Sequence, residues 1–352
     1  TAAPSLEKRT EVASPMPDPP PVTMATLLSK SIFSPSMLRR REFSSSKVVR
    51  ARELERTLAS PEYHRIRDII ASKRISSDRP INLEKFRANM EVTARDLPPE
   101  VSGTMVDAGG VPAELQMTHD AENLIIYFHG GGYIGGSIAS HRNLTGNLAL
   151  QSRFRVLSVE YRLAPEHPHP APVEDAVTTY QWALSEGYEP HNIALAGDSA
   201  GGGLTAACLI ELRNKQLPTP AAGVLISPWL DMSLTGETMV SNDERDSSIS
   251  AKSMPRTREL FVSEDQLKDP LASPLEADLG GLPPLLIQVG DEEILLSDSE
   301  RFHKKAMQAG VETELKIWPE MFHVWHACVG LFDEAKLAID EIAQFVWKNT
   351  KR

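Results

Sequence analysis

Gly197-Asp198-Ser199-Ala200-Gly201 fits G-x-S-x-G, a spacing with a mechanical reason. Small flanking residues permit a sharp turn that lifts the Ser199 hydroxyl clear of a sheet and sets it at the positive end of the following helix. The pattern also arises by chance in Gly-rich loops. Here the apolar run Ile193-Ala194-Leu195-Ala196 precedes it and a helical stretch over 201–215 follows, so the turn stands where a serine nucleophile would. A second Gly-rich segment, His129-Gly130-Gly131-Gly132-Tyr133, closes the apolar run 124–128. Consecutive glycines let backbone approach a ligand and aim N–H groups at it. In acyl transfer these N–H groups, joined by that of Ala200, would hold the oxyanion of a tetrahedral intermediate. A phosphate loop is the competing use, but the segment lacks both the Lys-Ser/Thr ending of a P-loop and the G-x-G-x-x-G spacing. His129 leaves its strand before the glycines and reads as a structural hydrogen-bonding group.

A serine needs a base, and the base an orienting acid. Of the ten histidines, His303, His323 and His326 lie near the last strands. His303 falls on an amphipathic helix at 298–309. His323 lies in a loop just after the strand 313–318 and suits the role, with His326 as fallback. The acid should come from the loop after the strand 285–289, which offers Asp291, Glu292 and Glu293; pattern alone does not choose among them.

These groups need a scaffold, and the chain reads as one. Continuous apolar runs at 124–128 and 156–159, with further strands at 193–196, 223–227, 285–289 and 313–318, are expected of strands covered on both faces. Helices over 173–185, 201–215, 298–309 and 333–348 alternate with them, which argues an α/β fold with a mainly parallel sheet between helical layers. Residues 231–283 are polar, hold several prolines and read as an insertion over the site. From 47 to 87 the periodicity is helical, so 46–90 is expected to form a cap or lid on a catalytic domain spanning 91–352. Residues 1–45, rich in Pro, Ser and Ala, are expected to be disordered.

The net charge of −11 over 352 residues argues against nucleic acid, whose binding depends on neutralising phosphates. No apolar run approaches the roughly 18–20 residues of a membrane span. Cys208 and Cys328 read as buried core thiols. A cytoplasmic protein is expected. Lys8-Arg9 and the basic stretch Met37–Arg41 are unspecific, and the composition leaves room for a homodimer.

Together these residues resemble the hormone-sensitive-lipase-like family of α/β-hydrolases, over about 85–350. The likeness rests on His129–Gly132, Tyr161-Arg162-Leu163-Ala164-Pro165-Glu166-His167-Pro168, Gly197–Gly201, Ser227-Pro228-Trp229-Leu230-Asp231 and the late His323. It implies an eight-stranded, mostly parallel sheet, an N-terminal helical cap, and serine carboxylesterase activity with no cofactor or metal. Carried over residue by residue, Ser199 is the nucleophile, His323 the general base, and Gly131, Gly132 and Ala200 the oxyanion donors. Many members carry the acid in an Asp-Pro-Leu triplet about 30 residues before the histidine. This chain has Glu293-Ile294-Leu295 there, which favours Glu293 over Asp291, with a side chain one methylene longer. A short- or medium-chain or acetylated small-molecule ester is the expected substrate. Tyr133, Trp229, Phe261 and Trp325 are the candidate pocket aromatics, although aromatics at such positions also serve as core packing. An acyltransferase or lyase on the same scaffold is the alternative. A ligand receptor is disfavoured, since Ser199 and His323 are both kept.

Overall fold

The computed structural model describes residues 59–74, 76–118 and 122–350. Its centre is an eight-stranded sheet built from β1 (Ser102–Asp107), β2 (Pro112–Met117), β3 (Leu124–Phe128), β4 (Arg155–Val159), β5 (Ile193–Asp198), β6 (Ala222–Ile226), β7 (Leu285–Gly290) and β8 (Thr313–Trp318). The spatial order is β1-β2-β4-β3-β5-β6-β7-β8. Strands β3 to β8 pair in parallel; β1 and β2 form an antiparallel hairpin, and β2 joins β4 antiparallel.

Side chains on a strand alternate between its faces, and this sheet therefore separates two apolar layers. Leu124, Ile126, Phe128, Leu195 and Ile287 face the first layer. There they meet α4 (Ala171–Ser185), α5 (Ala200–Asn214) and α8 (Leu296–Gln308). Ile125, Tyr127, Ala194, Ala196 and Leu286 face the second, which α3 (Ile138–Ser152) and α9 (Asp333–Asn349) cover. Burial on both faces explains why the central strands are continuous apolar runs.

Two elements escape the sequence pattern. The β1–β2 hairpin lies at the sheet edge, its first strand largely exposed, and it turns through Gly109 and Gly110 at positive φ. Helix α3 spreads its apolar residues around its circumference and carries Gly146, so it shows no clear amphipathic stripe.

Ahead of the sheet, the expected helical stretch is two helices, α1 (Pro61–Ala71) and α2 (Leu83–Glu91). Ser60 caps α1 by accepting from Tyr63 N–H, and Asn82 caps α2 by accepting from Lys85 N–H. Residues 47–58 of that stretch, and the segment 1–45 expected to be disordered, lie outside the described residues. The insertion 231–283 contains α6 (Thr238–Ser241), α7 (Met254–Phe261) and short 3₁₀ turns. Among the described residues no helix is long and apolar enough to cross a membrane.

Candidate active site

Ser199 sits on a left-handed backbone, φ 54° and ψ −120°, between the end of β5 and the start of α5. A non-glycine residue holds such a conformation only where its surroundings fix it. Here the Ser199 N–H donates to the Ile226 carbonyl at 2.8 Å, and the Ser199 carbonyl accepts from Trp229 N–H at 3.0 Å. Gly201 begins the helix so close to β3 that a Cβ would overlap the Phe128 carbonyl, which is why the second glycine of the motif stands there.

The glycine segment after β3 lies against this turn. Asp198, the variable residue before the serine, accepts from Gly130 N–H at 3.0 Å and from the Tyr127 hydroxyl at 2.7 Å. Its carboxylate also faces His141 Nε2 at 3.4 Å. Burial alone would raise the Asp198 pKa, but the charge and hydrogen bond of His141 outweigh it and hold the group below the usual carboxylate range. Burial would likewise lower that of His141, and Asp198 turns the shift upward. The bond from Gly130 N–H to Asp198 ties the two Gly-rich motifs together. Gly131 and Gly132 take φ of 116° and 65°, and among the described residues no acceptor takes their N–H groups or that of Ala200. His129 is buried, stacks on Tyr161 with ring centroids 4.3 Å apart, and donates from Nδ1 to the Gly130 carbonyl. Burial, with the neighbouring His141, pushes its pKa down to about 3, so it stays neutral.

Beyond β8, the loop after Trp318 brings His323 to the serine. The Ser199 hydroxyl donates to His323 Nε2 at 2.8 Å, and His323 Nδ1–H donates to Glu293 Oε2 at 2.8 Å. The other oxygen of Glu293 accepts from the Ser227 hydroxyl at 2.7 Å and from Gly290 N–H at 2.6 Å. Burial would lower the pKa of His323; the hydrogen bond and charge of Glu293, with the charges of Asp246 and Asp198, outweigh it and raise it. The other candidates lie apart. Asp291 accepts from Glu320 N–H at 2.7 Å, and both Asp291 and Glu292 face Arg245. His326 bonds Gln288 Oε1 at 2.8 Å and is kept neutral by burial, its pKa near 3. His303, on α8, contacts Thr313 at 3.2 Å.

The acid loop owes its place to residues that the sequence pattern did not single out. From the insertion, Asn242 Nδ2 donates to the carbonyls of Asp291 (3.0 Å) and Glu293 (2.9 Å), and the Thr238 hydroxyl donates to that of Ile294 at 2.8 Å. The buried Asp246 accepts from Ile294 N–H at 3.0 Å. At the end of β7, Gly290 packs so tightly on the histidine loop that a Cβ would overlap the Met321 carbonyl. The N-terminal helices reach the same loops. The Tyr63 hydroxyl of α1 donates to the Glu320 carbonyl, and its ring stacks on Phe322. Arg87 of α2 donates to the carbonyls of Ile134 (2.8 Å) and Ala164 (3.0 Å).

The four aromatics expected in the pocket are placed otherwise. Tyr133, Trp229, Phe261 and Trp325 are each at most 1% exposed. Tyr133 stacks on Phe261 at 3.8 Å with Trp229 beside them, whereas Trp325 packs against Trp318 and His326 in the other layer. Large apolar rings gain more from burial than from exposure, and these fill the core instead of offering surface to a substrate. Among the described residues no cluster of three or more His, Cys, Asp or Glu is placed to hold a metal ion.

Residues 125–327 match the model of the alpha/beta hydrolase fold family. An acetyl-hydrolase of Streptomyces hygroscopicus is 38% identical over 293 residues, covering 82% of this chain and 97% of that protein. An esterase of Acinetobacter venetianus is 38% identical over 239 residues, covering 68% and 79%. The crystal structure of an esterase from the bacterial hormone-sensitive lipase family superposes with a TM-score of 0.80 at 40% identity, covering 84% of this chain and 100% of that one. EstE5, solved after soaking with p-nitrophenyl butyrate, gives 0.80 at 38% identity, covering 83% and 99%. With its eight-stranded sheet and both Gly-rich motifs, the chain belongs to the α/β-hydrolase fold family, in the hormone-sensitive-lipase branch of carboxylic ester hydrolases.

Proposed function

We propose that this carboxylesterase hydrolyses short- to medium-chain or acetylated small-molecule esters through an acyl-enzyme on Ser199. The observation that carries the reading is the unbroken chain Ser199–His323–Glu293, two hydrogen bonds of 2.8 Å ending on a fully buried carboxylate. Ser199 Oγ attacks the ester carbonyl as its proton passes to His323 Nε2. Glu293 fixes the tautomer and stabilises the imidazolium. The N–H groups of Gly131, Gly132 and Ala200 receive the oxyanion, each such donor being worth about 3–4 kcal/mol in the transition state. His323 then protonates the leaving alcohol, and water repeats the sequence on the acyl-enzyme. Within the segment 46–90, α1 and α2 act as the cap and touch the histidine and glycine loops. Small acyl groups are favoured by the kinship with a protein named acetyl-hydrolase and with EstE5, a structure soaked with a butyrate ester.

The test is a panel of aryl esters of increasing acyl length, with an organophosphonate as covalent probe. Activity should be highest for acetate to hexanoate, and the probe should abolish it while adding mass to the peptide containing Gly197–Gly201. Full activity after labelling elsewhere, or in Ser199→Ala, would overturn the mechanism.

A further inference from the structure

Among the residues that frame the acid loop, Asp246 is the only carboxylate and is 1% exposed. It comes from the insertion, nearly fifty positions ahead of the residue it supports. Oδ2 accepts from Ile294 N–H at 3.0 Å, and Oδ1 accepts from Ser248 N–H at 2.9 Å and Ile249 N–H at 3.1 Å. The neighbouring bonds from Asn242 and Thr238 bind the same stretch from other sides, so Glu293 is clamped by its own backbone as well as by its side chain.

We propose that Asp246 is a positioning residue for ester hydrolysis, holding the Glu293–Ile294 peptide and supplying a second negative charge behind the His323 imidazole. The proposal rests on the serine mechanism above. The ionisable groups that act on Asp246 are Glu293 and His323; the basic neighbour Arg245 faces Asp291 and Glu292 instead. Burial, reinforced by the like charge of Glu293 and opposed by His323, brings its carboxyl up to about 6. The histidine in turn sees Glu293, Asp246 and Asp198, all of which favour its charged form. A glutamate in place of the commoner aspartate needs its loop backbone held further back, and Asp246 binds that backbone at the adjoining amide.

Asp246 raises the affinity of His323 for its proton, and the neutral imidazole is the working base. Asp246→Asn keeps the size and removes the charge, with one of the two accepting oxygens replaced by an NH2 group, so the acid limb of kcat/KM should move to lower pH by about one unit. The low-field Nδ1 proton resonance of His323 should report the same shift, and the plateau kcat should fall about tenfold with KM little changed. Asn242→Ala removes neutral hydrogen bonds from the same loop and should lower kcat without moving the limb. An unmoved limb and resonance in Asp246→Asn, or an equal shift in Asn242→Ala, would overturn the proposal. Should Asp246→Asn not fold, carboxyl ¹³C titration of Asp246 in the wild-type enzyme decides: a raised midpoint with a second inflection as His323 titrates supports it, and an ordinary aspartate curve overturns it. Phosphonate labelling of Ser199 in every variant separates this outcome from failure of the serine mechanism.

Discussion

The serine turn and the acid loop do equally exacting work and are held in opposite ways. Around Ser199 the constraint lies in the motif's own residue types: small residues at fixed spacing let β5, α5 and β3 close on one another, and Asp198 ties in the glycines after β3. Around Glu293 the loop's own sequence supplies little beyond the Gly290 N–H. Its carboxylate is fixed from Ser227 and Gly290, and its backbone from Thr238, Asn242 and Asp246, some fifty residues upstream. The first kind of site is written into a short motif. The second is written into the tertiary fold, and its supporting residues are free to differ in type provided that they deliver a donor or acceptor to the same place.

Breaking each region should separate the two. Ser199→Ala, which deletes the proposed nucleophile, should cost about a million-fold in kcat. Glu293→Gln should cost about ten-thousand-fold, whereas Asp291→Asn and Glu292→Gln stay within about threefold; steady-state kinetics on folded variants checks all three. Gly201→Ala tests the local region by wedging the serine turn away from β3, and a misplacement of about 1 Å should lower kcat about a hundredfold. Acidification sharpens the comparison without mutation. Because the partners of His323 raise its pKa, activity should fall as pH drops through a midpoint above the ordinary histidine value of about 6.5, read from a kcat/KM profile. The smallest effect belongs to the N-terminal helix. Tyr63→Phe removes one hydrogen bond to the histidine loop, worth about 1 kcal/mol, and should lower Tm by a few degrees with kcat nearly unchanged.

The same contrast explains what the sequence made legible. The motifs around Ser199 and Gly131 announce themselves because their chemistry demands particular residues at short spacing. The parallel sheet is equally plain, since β3 to β7 are buried on both faces and read as apolar runs. The choice of Glu293 over Asp291 needed a family spacing, because which carboxylate reaches His323 depends on loop backbone that distant side chains hold. Asp198 stood inside its motif yet passed as a variable position, since its partner Gly130 is 68 positions away. The aromatics misled for a related reason: a Trp or Tyr near a motif states its appetite for burial but not which apolar layer will take it. Helix α3 went unread because its polar and apolar residues are mixed around the axis, and only the sheet beneath it selects a face.

The contact of Gly290 with the Met321 carbonyl bears on how such genes are read. Glu293 and His323 sit in the loops after the adjacent strands β7 and β8, and Gly290 at the end of β7 lies against the backbone of the histidine loop, so the two loops are held together. A homologue carrying serine, glutamate and histidine at the matching positions, but alanine at this one, would pass every motif scan as an esterase. Its histidine loop would have to move to admit a single methyl group, so an intact signature does not by itself guarantee the geometry it stands for.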